Sequence, residues 1–142
     1  MEGFRDEGEE GVRERVKNVQ TFKDLIVWQK AHDLFLRIAE SVDSFPNKRT
    51  AWVVSDQILR SCGSMSANIS EGFGRKTRAD YEHFLIIARG STTETQNWLV
   101  KCRDLKYVKD ETYVEYDGVC FEVIKMINSL IGSLRRKGRE GN

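Results

Sequence analysis

The sequence predicts an all-α domain folded as an antiparallel up-down-up-down four-helix bundle, and three features support this prediction. Apolar side chains recur at alternating steps of three and four residues over most of the chain. Only one proline occurs in 142 residues, which favours long helices over a β architecture rich in turns. A chain of this length can bury about two thirds of its unfolded surface, so a single hydrophobic core is expected.

The chain divides into a charged N-terminal segment, a helical domain and a short C-terminal end. Residues 1–20 alternate charged residues with glycine and contain few large apolar side chains, so we expect a flexible tail there. The bundle is expected to span residues 21–137, with helices at about 24–43, 49–71, 78–106 and 111–136, followed by a disordered C-terminus at 138–142. Short connections between helices of this length favour antiparallel neighbours.

Two capping boxes and one further capping residue mark helix starts. Thr21 with Asp24, and Thr77 with Asp80, have the spacing in which each residue of the pair bonds the backbone of the other. Asp110 is placed to cap the fourth helix. The sequence therefore predicts where the first, third and fourth helices begin.

Residues 68–75, Asn-Ile-Ser-Glu-Gly-Phe-Gly-Arg, predict the end of the second helix and a basic turn. Gly72 is expected to end the helix, and Gly72 and Gly74 to supply the positive backbone angles of a helix stop. The middle of the second and third helices, around residues 61–67 and 88–95, is rich in small residues. Close packing of these two helices is the expected reason, and a ligand cavity between them is the alternative.

An up-down bundle places three basic parts of the chain at one end, which we call the basic pole. These parts are the start of the first helix, the connection between the second and third helices, and the end of the fourth helix. The candidate nucleic-acid-binding residues there are Lys23, Arg75, Lys76, Arg78, Arg135, Arg136, Lys137 and Arg139. Such a cluster attracts phosphate groups, although positive charges at solvated helix ends are also common.

Two further hypotheses concern surfaces and charge. Apolar residues beyond those that a four-helix core requires predict self-association, and a broader core stripe is the alternative explanation. The candidate interface residues are Trp52, Phe121, Ile124 and Ile131. Residues 1–20 carry six acids and four bases, a net charge of −2, so we also consider that this tail folds over the basic pole and competes with anionic ligands.

The sequence favours a protein without enzymatic activity. Cys62, Cys102 and Cys120 lie on apolar helical stripes with no Cys-x-x-Cys pair, which predicts buried thiols rather than a zinc site or a disulfide framework. No metal, cofactor or catalytic set is expected. Arg78 and His83 fit the Arg-x4-His spacing of the higher-eukaryote and prokaryote nucleotide-binding ribonucleases, so a weak metal-independent ribonuclease is an alternative.

The sequence also predicts a cytoplasmic protein. No apolar run approaches the roughly 20 residues that a membrane-spanning helix needs, and the N-terminal residues lack the apolar stretch of a signal peptide. We therefore expect no membrane contact.

Three motifs carry a family resemblance. They are residues 27–31, Val-Trp-Gln-Lys-Ala; residues 68–75; and Phe84-Leu85 through Ala88, Gly90 and Ser91. From Phe22 to about Arg136 the chain resembles the four-helix-bundle proteins encoded by intervening sequences of bacterial large-subunit ribosomal RNA genes, relatives of the accessory variability proteins of diversity-generating retroelements.

The resemblance implies a ring-like homopentamer and no enzymatic activity. For the retroelement relatives it also implies a basic surface that binds RNA and a reverse transcriptase. Two features depart from the family pattern: Leu59-Arg60 supplies one arginine where the family often has two, and Met65-Ser66 replaces an Ile-Pro step. A purely structural or protein-interaction oligomer without nucleic-acid contact therefore stays as the alternative function.

Overall fold

The computed structural model describes residues 18–140 and confirms the all-α four-helix fold. Its helices are α1 (Ile26–Val42), α2 (Arg49–Phe73), α3 (Arg78–Asp104) and α4 (Asp110–Glu140), with a short 3-10 turn at Phe22–Asp24 before α1. No strand occurs in this described range. Residues 1–17, which form most of the expected tail, and residues 141–142 lie outside the described residues.

The helices pack in ring order and run in alternating directions. Each helix contacts its neighbours in sequence, and α1 also contacts α4. Between α2 and α3, Ser61 pairs with Thr95, and Ser64, farther along α2, pairs with Ser91, which comes earlier in α3. This opposite progression is the register of antiparallel helices, and polar contacts between α3 and α4 progress in the same way.

The core lies between all four helices and is mostly apolar. The largest fully buried side chains include Leu34, Ile38, Ile58, Met65, Ile69, Leu85, Leu99 and Ile127. The three cysteines are also buried, and burial raises the pKa of the Cys62 thiol to about 12 and that of Cys102 to about 11. The cysteines therefore act as small apolar core residues, as their positions on the helical stripes predict.

The small residues of α2 and α3 form a packed polar seam. Thr95 Oγ1 lies 2.9 Å from Ser61 Oγ and 2.8 Å from the carbonyl oxygen of Ser91. Ser64 Oγ and Ser91 Oγ are 2.9 Å apart, and Thr92 Oγ1 donates to a carbonyl one turn earlier in α3. Because small side chains let the helices approach, these hydroxyl groups bond across and along the seam, which favours close packing over a ligand cavity.

The end of α2 corrects the expected role of its glycines. α2 continues through Gly72 to Phe73, and Gly74 follows with φ −79°; neither glycine has a positive φ. A Cβ at Gly72 would lie 2.9 Å from Phe84 Cβ and 3.1 Å from Tyr81 Cδ1. Residue 72 is therefore glycine because the start of α3 passes close to its backbone, not because the chain needs a left-handed conformation there.

The prediction that Thr21 and Asp24 open the first helix is wrong in one respect: the pair caps the 3-10 turn Phe22–Asp24, and α1 begins at Ile26 after Leu25, which makes no side-chain cap. The Asp24 carboxylate accepts hydrogen bonds from the backbone N–H groups of Thr21 and Gln20, each over 2.9 Å, and these bonds lower its pKa. Thr77 Oγ1 accepts from the Asp80 N–H over 3.1 Å. Asp110 is the first residue of α4 rather than a residue before it.

The last helix is longer than the sequence predicts. α4 continues to Glu140, four residues past the expected end at 136, so residues 138–140 are helical although a disordered C-terminus was expected. Basic residues near this end favour helix because their charge complements the negative end of the helix dipole. The extension keeps the four basic residues 135–137 and 139 on one helical segment.

The end of α3 uses a left-handed residue that is not glycine. Lys106 has φ 65°, the only positive φ of a non-glycine residue in the described range. The Tyr107 N–H donates to the Cys102 carbonyl over 2.8 Å, and the Lys106 N–H donates to Arg103 over 3.0 Å. These two bonds form a Schellman motif, whose left-handed position usually holds glycine.

Replacing Lys106 by glycine is expected to stabilise the protein by about 0.5–1 kcal/mol, because a Cβ is unfavourable in the left-handed region. The free energy of unfolding in urea measures this effect. Lys106→Ala is the matched control, since it removes the charge but keeps the Cβ. Equal stabilities of the two variants would show that the backbone conformation carries no strain.

Candidate nucleic-acid interface at the basic pole

An ion pair between α3 and α4 joins two of the three parts of the basic pole. Arg135, near the end of α4, donates from Nε and Nη2 to the two carboxylate oxygens of Glu82, over 2.9 and 3.2 Å. These bonds lower the pKa of the Glu82 carboxyl. Two parallel bonds fix the guanidinium group in orientation as well as position. Arg135 therefore holds the pole together, and its charge is offset by a neighbour.

The connection between α2 and α3 is held by Arg75. Its Nη2 lies 3.1 Å from Glu71 Oε2, one turn earlier in the chain. Its guanidinium group also lies 4.6 Å from the centre of the Phe84 ring, in α3. Arg75 therefore contacts both helices that the connection joins, and it is the second cation of the pole with a carboxylate partner.

The other six basic residues of the pole are exposed and make no ion pair within residues 18–140. They are Lys23, Lys76, Arg78, Arg136, Lys137 and Arg139. Counted over residues 21–24, 71–82 and 135–140, the pole has eight basic side chains and five carboxylates, a net charge of +3. The predicted cluster thus contains two anchoring arginines and six exposed cations that have no carboxylate partner among residues 18–140.

The start of α3 adds partial positive charge to this surface. The first four N–H groups of a helix have no partner inside the helix, and Thr77 Oγ1 accepts a bond from only one of them in α3. Lys76 and Arg78 flank Thr77 and are both exposed. Helix starts of this kind favour phosphate groups.

The opposite end of the bundle is also basic, which the sequence reasoning missed. Residues 43–49 and 103–111 contain five basic side chains and four carboxylates, a net charge of +1. Lys48, Arg49, Lys106 and Lys109 are exposed there. Counting the charges in the sequence around the two connections at that end would have identified this second basic patch. Because its net charge is smaller than that of the basic pole, the patch serves as a reference for the pole.

The four candidate interface residues separate into different environments. Trp52 and Phe121 are 61% and 54% exposed, and Ile124 is half-buried. Ile131 is only 4% exposed and belongs to the core of the single chain, so its side chain is not available to a partner. Its helical position turns it toward the other helices, whereas Phe121 points outward.

Several exposed apolar residues were not among the predicted interface residues, and Val114 is the most exposed of them. Val114 is 66% exposed and precedes Phe121 by seven positions, so both lie on the same side of α4. Gly118 lies between them, with open space where a Cβ would stand. The seven-residue spacing in the sequence was the signal that could have identified this pair.

The described contacts do not assemble the alternative ribonuclease site. The His83 ring meets the Phe84 ring at 76°, with the ring centres 5.4 Å apart. Arg78 precedes His83 by five positions, which places the two side chains about 140° apart around the helix. Within residues 18–140, no group of three or more histidine, cysteine or carboxylate side chains could hold a metal ion.

Within residues 18–140, no helix is both long enough and apolar enough to span a membrane. The exposed surface of the helices is instead rich in charge. Salt bridges between neighbouring helices, such as Lys30 with Glu122 at 2.9 Å and Arg37 with Glu115 at 2.6 Å, connect α1 to α4.

Comparison with known proteins places this bundle in a family. The family model described as 23S rRNA-intervening sequence protein matches residues 23–129. A solved structure, described as a protein of unknown function from the S23 ribosomal protein family of Bacteroides thetaiotaomicron VPI-5482, matches with a TM-score of 0.69 and 32% sequence identity, covering 75% of this chain and 98% of that chain. No curated protein matches. The match to three quarters of the sequence, on the fold that the sequence predicts, shows that this chain belongs to the 23S rRNA-intervening sequence protein family.

Proposed function

We propose that this chain is a non-enzymatic helical scaffold that binds RNA through the basic pole. The observation that carries the proposal is the set of six exposed cations without ion-pair partners in the described range, beside the start of α3. Arg75 and Arg135 are engaged by Glu71 and Glu82. These two arginines therefore hold the helices of the basic pole in place and contribute less positive charge to the surface than the six exposed cations do.

The exposed cations set an expectation for salt dependence. Each phosphate neutralised on a single strand contributes a slope of about −0.7 to the logarithm of affinity against the logarithm of salt concentration. If all six cations each contact one phosphate, the slope is about −4. If only one or two of the cations contact a phosphate, the slope is nearer −1. A salt titration therefore measures how many of the cations contact phosphate groups.

Removing three cations that have no ion-pair partner within residues 18–140 is expected to weaken RNA binding about tenfold or more at low salt, because phosphate contacts dominate the affinity of such surfaces. The test variant combines Lys76→Ala, Arg78→Ala and Arg136→Ala, which leaves both anchoring arginines in place. Fluorescence anisotropy of a labelled single-stranded oligouridylate measures the affinity.

A charge-matched control separates the basic pole from the net charge of the protein. Lys48→Ala, Lys106→Ala and Lys109→Ala remove the same charge at the opposite end, and a much smaller loss is expected. Equal losses of RNA affinity in the two variants would show that the net charge of the protein, and not the basic pole, determines binding. No binding by the parent chain would favour the alternative of a structural or protein-interaction oligomer, including one that contacts a reverse transcriptase.

Self-association is the second part of the proposal. Val114 and Phe121 on α4 and Trp52 on α2 expose large apolar side chains, and apolar groups of this size are commonly covered in oligomers. The family resemblance implies a pentamer. A ring would bring several basic poles together and multiply the attraction for one RNA molecule, and native mass spectrometry of the full chain measures its stoichiometry.

The ribonuclease alternative has no contact in its favour within residues 18–140. His83 packs edge-on against Phe84, and Glu82, the acid beside it, is engaged by Arg135. The proposed role therefore rests on charge placement rather than on a catalytic group.

A further inference from the structure

The first residues of the sequence carry a charge opposite to that of the basic pole. Residues 2–10 contain five carboxylates and one arginine, a net charge of −4, whereas residues 11–17 have three basic residues and one acid. The carboxylates are Glu2, Asp6, Glu7, Glu9 and Glu10. These residues lie outside the described part of the chain, and their acidic run is more concentrated than the net charge of residues 1–20 indicates.

The described chain begins at the end of the bundle that carries the basic pole. Val19 packs against the hydrophobic core, and the Gln20 N–H donates to Asp24 Oδ2 over 2.9 Å. These contacts fix the start of the described chain beside the first turn of the bundle. Lys23, one of the six cations without an ion pair in the described part of the chain, lies in that same turn.

The acidic residues are close enough in sequence to reach the whole pole. Glu10 precedes Asn18 by eight positions, and eight residues span at most about 26–29 Å. The end of a bundle of four packed helices is about 20 Å across. Residues 2–10 can therefore reach cations on both sides of the pole, including those at the end of α4.

We propose that residues 2–10 bind the basic pole and compete there with RNA. The identity of the displaced ligand rests on the proposed function, whereas the contact itself rests on charge and reach. A segment tethered this closely acts at an effective concentration in the millimolar range. Because salt screens exposed charges, the competition is strongest at low ionic strength.

Neutralising the acidic segment in the full chain tests this proposal. The tail variant combines Glu2→Gln, Asp6→Asn, Glu7→Gln, Glu9→Gln and Glu10→Gln. At low salt we expect it to bind a labelled single-stranded oligouridylate about tenfold more tightly than the parent chain, because the competing charges are removed without shortening the chain.

A control with the same change in net charge isolates the position of the acids. It combines Glu40→Gln, Asp43→Asn, Asp56→Asn, Glu94→Gln and Glu111→Gln, which are all exposed and lie outside the basic pole. This control is expected to gain much less affinity. Equal gains in the two variants would overturn the proposal, since net charge alone would then explain the result.

Amide NMR spectra without RNA separate this inference from the proposed function. Signals of residues 75–78 and 135–139 are expected to shift between the parent and the tail variant, and to stay in place in the control. Unchanged signals in the tail variant would overturn the contact whatever the RNA results are. Shifted signals in a chain that binds no RNA would support the contact and remove the proposed function.

Discussion

Gly72→Ala is expected to destabilise the protein by up to about 2 kcal/mol, although alanine normally favours a helix over glycine by about 1 kcal/mol. The added methyl group would lie 2.9 Å from Phe84 Cβ and 3.2 Å from the carbonyl oxygen of Tyr81. A Cβ atom and a backbone oxygen move only when their helix moves, so α3 must shift away from α2. Overpacking of this kind costs about 1–3 kcal/mol.

The neighbouring glycine provides the control for this prediction. A Cβ at Gly74 would find its nearest neighbours at 3.7 and 3.8 Å, and its backbone has φ −79° and ψ −3°, which alanine adopts without strain. Gly74→Ala should therefore be neutral or slightly stabilising. The free energy of unfolding of both variants in urea tests the difference, and a stable Gly72→Ala variant would show that α3 yields at little cost.

The apolar periodicity predicts the number, order and approximate bounds of the helices because burial of one face repeats with the turn of the helix. It does not predict why a glycine stands at residue 72. A glycine that ends a helix with a positive φ and a glycine that admits a neighbouring helix look alike in one sequence. The distinction depends on Phe84 and Tyr81, which come near only after the chain has turned at residues 74–77.

The basic pole was predicted from topology, because antiparallel helices of similar length bring their alternate ends together. The sequence did not predict which of its basic residues pair with a carboxylate. Glu71 is one turn from Arg75, a pairing that the sequence permits, but Glu82 and Arg135 are 53 positions apart and meet only through the register of α3 and α4. Which cations pair with a carboxylate within residues 18–140 is therefore a property of the packed structure.

The burial of the candidate interface residues on α4 also could not be predicted from their spacing in the sequence. Ile124 and Ile131 were both placed beside the main apolar stripe, yet Ile124 is half-buried and Ile131 is in the core. Seven positions separate these two residues, so their side chains point in directions only about 20° apart, and the width of the buried face at each turn depends on how closely the neighbouring helices approach there. Spacing alone cannot set that width.

Ile131→Ala is expected to lower the free energy of unfolding by about 2–4 kcal/mol, the cost of removing a buried aliphatic side chain from a packed core. Ile131 is 4% exposed and belongs to the same core cluster as Ile127 and Val123. If Ile131 acts inside each chain, the loss persists when the protein is dilute. Urea unfolding at several protein concentrations measures both the size of the loss and its dependence on association.

Phe121→Ala should behave in the opposite way, because the ring is 54% exposed on the chain alone. Its truncation is expected to change the stability of the single chain by less than about 0.5 kcal/mol and to shift native mass spectra toward smaller assemblies. An unchanged assembly would remove Phe121 from the proposed interface. Because one substitution acts on folding and the other on association, the pair separates a core stripe from a docking face on the same helix.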